Sequence, residues 1–446
     1  MSALPRTQTV TPRGEEVELS ALIDGRPMSR AQVFVAVLCA ATLIVDGYDI
    51  QVMALAVPSL AKEWSLAPSS FGPALSAVVL GISIGSGLLG PAADRLGRRT
   101  LLVAAMALTG VATACTALAA TPGQFVVWRL LTGIALGAGI PSCAALTAEY
   151  SPLAHRSLVM GLMNSGPPIG AFSAGFIAPP VLAAFGWRGA FLIGGAAPLI
   201  IAALALFTPE SLKFLLARGG PDPRIAPALR KIAPDVDPST LYLRVGDAEH
   251  RGSPLQLLNR TYLARTLLLW TMVTLNLFNL YVLVSWLPTI LEQSGWNPAN
   301  ALRGAVLIQA GGVVGGLSMA RFLDRGATKP ALAAGFILAA SCLGLFAVLP
   351  NGGAWVALLL LIGAGVSGCQ LSLNTLSAAY YPPTIKATGV GWALVAGGIG
   401  SILGPLAGAW LIDLRFSPVD IVALLAVPSL LCAGGAGLMR RAWQAH

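Results

Sequence analysis

Apolar residues along the chain gather into twelve long runs that are separated by more polar segments. An α-helix needs about 17 to 25 mainly apolar residues to cross the hydrocarbon core of a bilayer, and each run reaches that length. The pattern therefore predicts an all-α membrane protein with twelve transmembrane helices, called spans 1 to 12 below. The predicted spans cover residues 33–58, 71–92, 101–120, 124–147, 158–184, 189–207, 266–290, 304–320, 330–349, 353–379, 387–412 and 419–439.

Only one long polar segment, 208–265, interrupts this series, and it lies near the middle of the chain. It divides the chain into two predicted six-helix bundles, 31–207 and 266–439. The other polar segments are an N-terminal tail, 1–30, and a short C-terminus, 440–446. The tail carries several charges and no short apolar core, so it is not typical of a signal peptide.

The two predicted bundles are related by an internal repeat with an offset of 230 residues. Chance can align apolar residues at one offset, but it rarely aligns this many polar ones. Parallel repeats are typical of transporters that rock two bundles about a central substrate site. The coinciding pairs include Asp46 with Asn276, Asp49 with Asn279, Asp94-Arg95 with Asp324-Arg325, Tyr150 with Tyr380, Arg156 with Lys386, and Gly170 with Gly400.

Composition and charge support this class and exclude others. Hydrophobic residues make up 56% of the 446 positions and charged residues 11%, whereas soluble proteins have about 25% charged residues. The formal net charge is +9, but the basic residues lie mainly in the tail and in alternate loops, so we expect no nucleic-acid partner. By the positive-inside rule, both termini are predicted to be cytoplasmic. The six cysteines form no CxxC pair, which predicts neither a disulfide framework nor a metal site.

Two carboxylates, Asp46 and Asp49, interrupt the first apolar run. Acidic residues are costly in hydrocarbon, so a functional site is the default interpretation. Residues three apart share a face of a helix, so both acids are expected to face one cavity, where water or a cation keeps them charged or one of them binds a coupling proton. A buried structural pair is the alternative. The three histidines, His155, His250 and His446, fall in loops or at the terminus, so proton coupling is expected to rest on carboxylates.

A glycine-rich basic segment from Gly90 to Arg99 lies between spans 2 and 3 on the predicted cytoplasmic side. Its glycines allow a tight turn, and its aspartate can accept from helix N-termini or basic side chains. It resembles the loop signature of the major facilitator superfamily, with a weaker copy in the matching loop of the second half. Glu149 is expected near Arg156, either in a gating salt bridge or as a solvated helix end. The predicted gate residues are Gly90, Asp94, Arg95, Gly97, Arg98, Arg99, Glu149, Arg156, Asp324, Arg325 and Lys386.

Further strings are similar to the aromatic acid/proton symporter family within that superfamily. They are the Asp46-to-Asp49 motif, Arg129 with Gly133, Gly137, Gly139 and Pro141, Glu149-Tyr150-Ser151-Pro152, Gly186-Trp187-Arg188, Pro209-Glu210-Ser211, Ser285-Trp286-Leu287-Pro288-Thr289, and Tyr381-Pro382 with Thr388-Gly389. The resemblance implies import of benzoate-type carboxylates, such as 4-hydroxybenzoate and protocatechuate, across a bacterial inner membrane by inward proton flow. It also implies that Arg129 contacts Asp49 and then switches to the substrate carboxylate; a structural ion pair is the alternative.

Polar and aromatic residues of the second half are candidates for holding an aromatic acid. Amides can bind a ring hydroxyl or a carboxylate, and aromatic faces can pack on a flat ring. Hydrogen bonds between helices explain such amides as well, so both interpretations stay open. The candidate substrate-binding residues are Arg129, Asn276, Asn279, Tyr281, Gln309, Gln370, Asn374 and Trp392.

Two positions depart from the family pattern. Lys386 stands where relatives often have arginine, which keeps a charge but loses the planar guanidinium fork. Gly398 occupies a place where arginine is expected in many relatives. If that arginine holds the substrate carboxylate, this chain must use another group.

No P-loop, HExxH or GxSxG motif occurs, so neither an ATP-driven pump nor an enzyme is expected. The sequence predicts a monomeric secondary transporter in a lipid bilayer that binds a small aromatic carboxylate and protons, and needs no other cofactor. A proton-linked carrier of another organic acid, or an exporter of aromatic substrates, is the nearest alternative because fold does not fix cargo or direction. A membrane receptor or enzyme would need a signalling domain or a catalytic constellation, and the sequence has neither.

Overall fold

The computed structural model describes residues 15–89, 92–218, 222–233, 241–244, 254–350 and 352–439. Within them, eleven stretches are long and apolar enough to cross a membrane. One of these, Leu153–Ala205, has 53 residues, and as a straight helix it would be about 80 Å long, more than twice the hydrocarbon thickness. It breaks at Gly186, whose φ of 64° and ψ of −172° are not helical, and therefore contains two spans. The predicted number of twelve spans is confirmed.

The first six spans are joined by short connections. Span 1 is Arg30–Trp64, span 2 is Gly72–Ile84 with a π-helical turn Gly85–Leu89, span 3 is Arg98–Thr116, and span 4 is Pro122–Tyr150. Span 5 is Leu153–Asn164 with the first part of the helix Gly166–Ala205, and span 6 is the part of that helix after Gly186. Short helices at Pro68–Phe71 and Ala93–Leu96 precede spans 2 and 3.

The second half repeats this arrangement. Span 7 is Leu263–Gln293, span 8 is Leu307–Asp324 after a short helix Pro298–Ala305, and span 9 is Thr328–Val348. Span 10 is Gly353–Ala379, span 11 is Pro383–Asp413, and span 12 is Pro418–Leu424 followed by Ala426–Leu438. The described parts of 208–265 include helices at Leu212–Ala217, Ile225–Ile232 and Pro254–Leu258.

Local sequence sets where the spans begin. Ser29 and Gln32 form a capping box at span 1: the Gln32 amide N–H donates to Ser29 Oγ at 3.3 Å, and Ser29 N–H donates to Gln32 Oε1 at 2.7 Å. Span 4 begins after Thr121, whose Oγ1 accepts from Gln124 N–H at 3.3 Å, with Pro122 at the first helical position. These caps satisfy backbone donors that the first helical turn leaves open.

The 230-residue repeat is present in three dimensions. Glycines let the backbones of neighbouring spans approach so closely that an added Cβ atom would overlap a carbonyl group of the next span. Spans 1 and 5 of the first half pack in this way, and so do spans 7 and 11, the repeat-related pair of the second half. Spans 2 and 4 correspond in the same manner to spans 8 and 10. The matching contacts are Gly170 on Ile44 with Gly400 on Thr274, Gly81 on Leu130 with Gly311 on Leu360, Gly133 on Val78 with Gly363 on Ile308, and Gly85 on Ile134 with Gly315 on Ala364.

Short elements cover one end of the first half. We call this end of the molecule, in both halves, the connector face, because the described parts of 208–265 lie there. Strand β1 (Glu15–Glu18) pairs in parallel with strand β2 (Leu241–Arg244). The helix Leu19–Asp24 and the helix Ile225–Ile232 contribute buried apolar side chains to one core cluster. The described part of the tail is therefore folded against the central segment, and its two-stranded sheet is an addition to the all-α prediction.

The two halves are closed against each other at the face opposite the connector face. There, one apolar core includes Trp187 of span 6 and Trp286 of span 7, and Gly72 of span 2 lies against Ala409 of span 11. At the connector face, by contrast, the two halves have separate core clusters. One consists of residues of the first half and of the short helices that cover it, and the other consists of residues of the second half. The halves thus share apolar packing at only one of these two ends of the described structure.

Candidate functional site

A cavity of about 160 Å³ lies between the two halves, with walls from spans 1, 5, 7, 8 and 10. Most of its lining is apolar, including Gly47 and Ile50 of span 1. No lysine, arginine or histidine is among the described wall residues. A carboxylate bound here would therefore be held by neutral donors. The polar wall residues all come from the second half and are Tyr281, Gln309, Ser367 and Gln370.

A chain of three amides in the second half includes one wall residue of this cavity, Gln370, as its middle member. Asn276 Nδ2 donates to Gln370 Oε1 at 2.9 Å and to the Val366 carbonyl at 3.0 Å. Gln370 Nε2 in turn donates to Asn374 Oδ1 at 3.1 Å. Gln370 is 8% exposed, whereas Asn374, one turn nearer the connector face, is exposed. The NH₂ group of Asn374 therefore stands at the exposed end of the chain as a donor.

Asp49 and Arg129 form an ion pair inside the first half. Arg129 Nη1 donates to Asp49 Oδ1 at 3.0 Å, and Nη2 contacts Oδ2. Thr113 Oγ1 donates to Asp49 Oδ1 at 3.4 Å, and the guanidinium carbon lies 5.3 Å from the centroid of the Phe191 ring. Arg129 is 0% exposed and Asp49 2%, and neither is a wall residue of the cavity. The pair joins spans 1 and 4 in the core of the bundle.

Asp46 has a different environment. It is 6% exposed, and its Oδ1 atom has no hydrogen-bond partner among the described residues. The wall residues Gly47 and Ile50 define the side of span 1 that faces the cavity. At about 100° per residue, Asp46 points about 70° from that direction and Asp49 about 130°. The expectation that both acids face one cavity is therefore corrected: Asp46 lies beside the wall, and Asp49 points into the bundle.

Three of the eight predicted binding residues, Tyr281, Gln309 and Gln370, are wall residues of the cavity. Arg129, Asn276 and Asn374, described above, are not, and neither are Asn279 and Trp392. Asn279 is buried in the second half, where its Nδ2 donates to the Leu425 carbonyl at 3.0 Å and to Ser429 Oγ at 2.9 Å. These bonds join spans 7 and 12, so Asn279 takes the interhelical role that had been left open. Trp392 stacks on Trp270 with ring centroids 6.0 Å apart and is not a wall residue.

An ion pair at the connector face joins spans 3 and 4. Arg98, at the start of span 3, pairs with Glu149, at the end of span 4, and Ser211 Oγ donates to Glu149 Oε2 at 2.5 Å. The expected partner of Glu149, Arg156, instead pairs with Asp24 at 3.5 Å. Arg156 has a different partner from the expected one because the chain turns between spans 4 and 5. The folded tail places the Asp24 carboxylate at the start of span 5, close to Arg156.

Glu210, which follows span 6, forms polar contacts that the pattern of apolar and polar positions does not predict. Its Oε1 accepts from Arg99 N–H at 2.8 Å, and its Oε2 accepts from Thr100 Oγ1 at 3.2 Å. The carboxylate fills the space where a side chain on Gly97 would lie, and Gly97 has a φ of 99°. Tyr150 Oη donates to the Glu210 carbonyl at 2.5 Å. Glu210 therefore caps span 3 and ties the ends of spans 3, 4 and 6 together.

Glu210→Ala is expected to lower the unfolding free energy by about 1–2 kcal/mol, because the first N–H groups of span 3 lose a charged acceptor. Thermal unfolding of the detergent-purified protein measures the change. Asp94→Ala is the matched control, since that side chain is 60% exposed near the same helix start. Equal unfolding midpoints for the two variants would contradict the capping role.

The remaining predicted gate residues form few described contacts. Asp94 Oδ1 lies 4.0 Å from Arg98 Nη2. Gly90 and the side chain of Asp324 lie outside the described residues. Three other predicted gate residues are exposed: Arg95, Arg325 and Lys386.

Gly398, the second departure from the family pattern, lies where span 11 meets span 2. A Cβ atom at this position would lie 3.3 Å from Ser83 Oγ. An arginine here would project into the boundary between the halves. Its absence agrees with a cavity whose described wall has no cation.

Comparisons with known proteins agree with this architecture. The family model described as Major Facilitator Superfamily matches residues 38–405 and 309–441. A gallate transporter of Pseudomonas putida is 34% identical over 420 residues, 94% of each chain. The 4-hydroxybenzoate transporter PcaK of Acinetobacter baylyi is 34% identical over 438 residues, 96% of this chain and 95% of its own. The inward open xylose transporter XylE from E. coli has a TM-score of 0.69 at 17% identity, covering 91% of this chain and 96% of its own, which shows the fold alone.

Proposed function

Because the chain belongs to the major facilitator superfamily and, within it, to the group of aromatic acid transporters, we propose that it imports a small aromatic carboxylate with protons across a bacterial inner membrane. It is a multi-pass membrane transporter and not an enzyme. The observation that carries the proposal is the match of nearly the whole chain to 4-hydroxybenzoate and gallate transporters. The small, mostly apolar cavity with amides on one wall supports it.

The connector face is proposed to be cytoplasmic. The excess of basic residues in the tail, the central segment and alternate loops supports this orientation. The closed end, where Gly72 meets Ala409, then faces the periplasm, and the structure corresponds to an inward-facing state. In that state Asn374, one helical turn closer to the cytoplasm than the wall residue Gln370, is the amide that a cargo leaving for the cytoplasm passes.

Cargo recognition is proposed to combine an apolar slot with neutral donors. The apolar wall suits the two faces of a ring, and the amides of Gln309, Gln370 and Asn374 can donate to a carboxylate or pair with ring hydroxyls. The hydrogen bond from Asn276 Nδ2 to Gln370 Oε1 fixes the orientation of the Gln370 side chain, so the Gln370 amide is held in place before cargo binds. No cation is required at the wall, which fits the glycine at position 398.

Asn374→Leu is expected to raise KM for 4-hydroxybenzoate by about 5- to 100-fold with a smaller change in maximal rate, because one cargo hydrogen bond of about 1–3 kcal/mol is lost. Initial uptake rates in cells expressing equal amounts of protein measure the change. Thr375→Val is the matched control: Thr375 is the next residue on span 10 and is also exposed, but its Oγ1 donates to the Leu371 carbonyl at 3.1 Å. An unchanged KM for Asn374→Leu would remove this residue from the proposed site.

The coupling proton is proposed to bind Asp46. Asp49 already has a cation beside it in Arg129, whereas Asp46 is buried with an oxygen that has no described partner. An isolated carboxylate is unfavourable in such surroundings, and a bound proton removes its charge. The pair of Asp49 and Arg129 is proposed to hold spans 1 and 4 together. Transfer of Arg129 to the cargo, as the family resemblance implied, would require the guanidinium to leave the bundle core.

The proposed cycle follows from these assignments. Asp46 is protonated from the periplasm, cargo binds between the halves, and rocking exposes both to the cytoplasm, where cargo and proton leave. Bound cargo shifts the equilibrium only through its unequal affinity for the two states. The cavity walls come from both halves, so a cargo that contacts both walls favours the state in which they are close.

A competition assay tests cargo and coupling together. Uptake of labelled 4-hydroxybenzoate is measured with an excess of benzoate, hydroxybenzoates, gallate, longer aromatic acids or aliphatic dicarboxylates, with and without a protonophore. The proposal predicts competition by the small aromatic acids and loss of accumulation with the protonophore. Competition by aliphatic dicarboxylates alone would favour a carrier of another organic acid, and faster loss of preloaded cargo on energisation would favour an exporter.

A further inference from the structure

A second cavity, of about 530 Å³, lies between spans 8 and 9 of the second half. Its walls include Val314 and Phe322 of span 8, which are 65% and 48% exposed, and Leu338 of span 9. The one hydroxyl in the wall, Ser318 Oγ, donates to the Val314 carbonyl at 2.8 Å. The cavity is therefore an apolar crevice that opens sideways, without a free polar group in its described wall to hold a water-soluble ligand. We call it the span 8–9 crevice.

Basic residues stand where this crevice reaches the connector face. Arg321 lies in the last turn of span 8, three positions after the wall residue Ser318, and Arg325 directly follows the end of that helix, three positions after the wall residue Phe322. Lys329 precedes the wall residue Pro330 at the start of span 9. All three basic side chains are exposed, and segment 321–329 contains one acidic residue, Asp324. The apolar crevice thus has a net basic rim at one end.

We propose that the span 8–9 crevice binds an anionic phospholipid. One acyl chain lies between spans 8 and 9, and the phosphate is held by Arg321, Arg325 and Lys329. A bilayer supplies acyl chains to any crevice on its lipid side, and the exposed basic residues at the end of this one suit a negatively charged head group. Basic residues that close a pocket between transmembrane helices are typical of anionic lipid sites.

The lipid would act on the same helix that lines the cargo cavity. Gly312 and Val313 of span 8 are wall residues of the central cavity, and Val314 and Gly315 are wall residues of the span 8–9 crevice. A lipid on one side of span 8 therefore restrains a helix whose other side contacts cargo. This assignment also gives Arg325 a role apart from the predicted gate.

Native mass spectrometry of the detergent-purified full chain tests the site. The protein is titrated with phosphatidylglycerol and, separately, with phosphatidylcholine of the same acyl chains. We expect the wild type to retain phosphatidylglycerol with an affinity at least on the order of tenfold higher than phosphatidylcholine, because basic residues favour an anionic head group over a zwitterionic one. Equal affinities for the two lipids would overturn the proposal.

Variants separate this site from a general attraction to positive charge. The triple variant Arg321→Gln, Arg325→Gln and Lys329→Gln is expected to lose the preference for phosphatidylglycerol. Its matched control removes three exposed basic residues of the connector face elsewhere and is expected to keep the preference. The control substitutions are Lys213→Gln, Arg218→Gln and Arg230→Gln.

A crevice-filling variant keeps the test independent of charge. Ala334 is an exposed wall residue, and Ala334→Leu is expected to weaken binding of both lipids while leaving the unfolding midpoint in lipid-free detergent unchanged. If the two triple variants lose the preference equally, or if Ala334→Leu binds both lipids like the wild type, the site is not where we propose it.

Discussion

Asp46→Asn is expected to abolish accumulation of the aromatic acid against a gradient while preserving exchange of cargo between the two sides. For each coupled proton, a pH difference of one unit is worth about 1.4 kcal/mol, or about tenfold accumulation. An amide cannot carry that proton, so the variant should transport cargo only until its concentrations on the two sides of the membrane are equal. Its fold should persist, because Asp46 Oδ1 has no described partner to lose.

Uptake into proteoliposomes at an imposed pH difference, followed by counterflow without one, measures both properties. Asp413→Asn is the matched control, since Asp413 is exposed at the end of span 11 and plays no part in the proposed cycle. The control is expected to accumulate cargo like the wild type. If Asp46→Asn also accumulates cargo about tenfold per pH unit, the coupling proton is carried by another group.

Asp49→Asn is also expected to reduce accumulation of the aromatic acid, but for a different reason, because this variant loses stability. The substitution leaves the guanidinium of Arg129, which is 0% exposed, without its counter-ion in the core of the first half. Removing one partner of a buried ion pair costs about 3–5 kcal/mol. The unfolding midpoint in detergent should therefore fall, and the yield of folded protein with it.

The double variant Asp49→Asn with Arg129→Gln separates structure from coupling. Because it removes both charges, its unfolding midpoint is expected to recover much of what either single variant loses. Proton-driven accumulation should recover with the folded protein, since Asp46 is intact. A double variant that is stable, exchanges cargo and yet accumulates none would show that Asp49 or Arg129 takes part in coupling itself.

The helix number and the relation between the halves were predictable because they depend on local composition and on a constant offset. Gly81 on Leu130 and Gly311 on Leu360 show why the offset works: each glycine permits one close approach that the other half repeats. The contact of Arg129 with Asp49, implied by family resemblance, is also present. The number of helices and the offset require no knowledge of how a helix is rotated about its axis, whereas the contact of Arg129 with Asp49 came only from the family resemblance.

Helix rotation explains what the sequence could not predict about the acids. Residues three apart lie about 60° apart around a helix, so a shared face does not decide which of them turns toward a cavity. In span 1 the wall positions are Gly47 and Ile50, which leaves Asp49 inside the bundle. Asn279 shows a related limit, because an amide that binds cargo and one that binds a neighbouring helix have the same chemistry.

Partners that are distant in sequence explain the other differences. Asp24 reaches Arg156 only because the tail folds against the central segment, and no periodic pattern in the tail indicates that. Glu210 belongs to a string that carried the family resemblance, and its place after span 6 was the signal that it contacts a neighbouring helix end. Its acceptor role at span 3 depends on the packing of spans 3, 4 and 6.

Proton entry that depends on cargo is the most specific sign of symport through Asp46. Proteoliposomes containing a pH-sensitive dye are mixed with 4-hydroxybenzoate at equal internal and external pH, and protein-free liposomes correct for diffusion of the neutral acid. The wild type is expected to acidify the lumen faster than protein-free liposomes do. Asp46→Asn is expected not to, although it exchanges cargo. Equal cargo-dependent acidification by the wild type and Asp46→Asn would show that Asp46 does not carry the coupling proton.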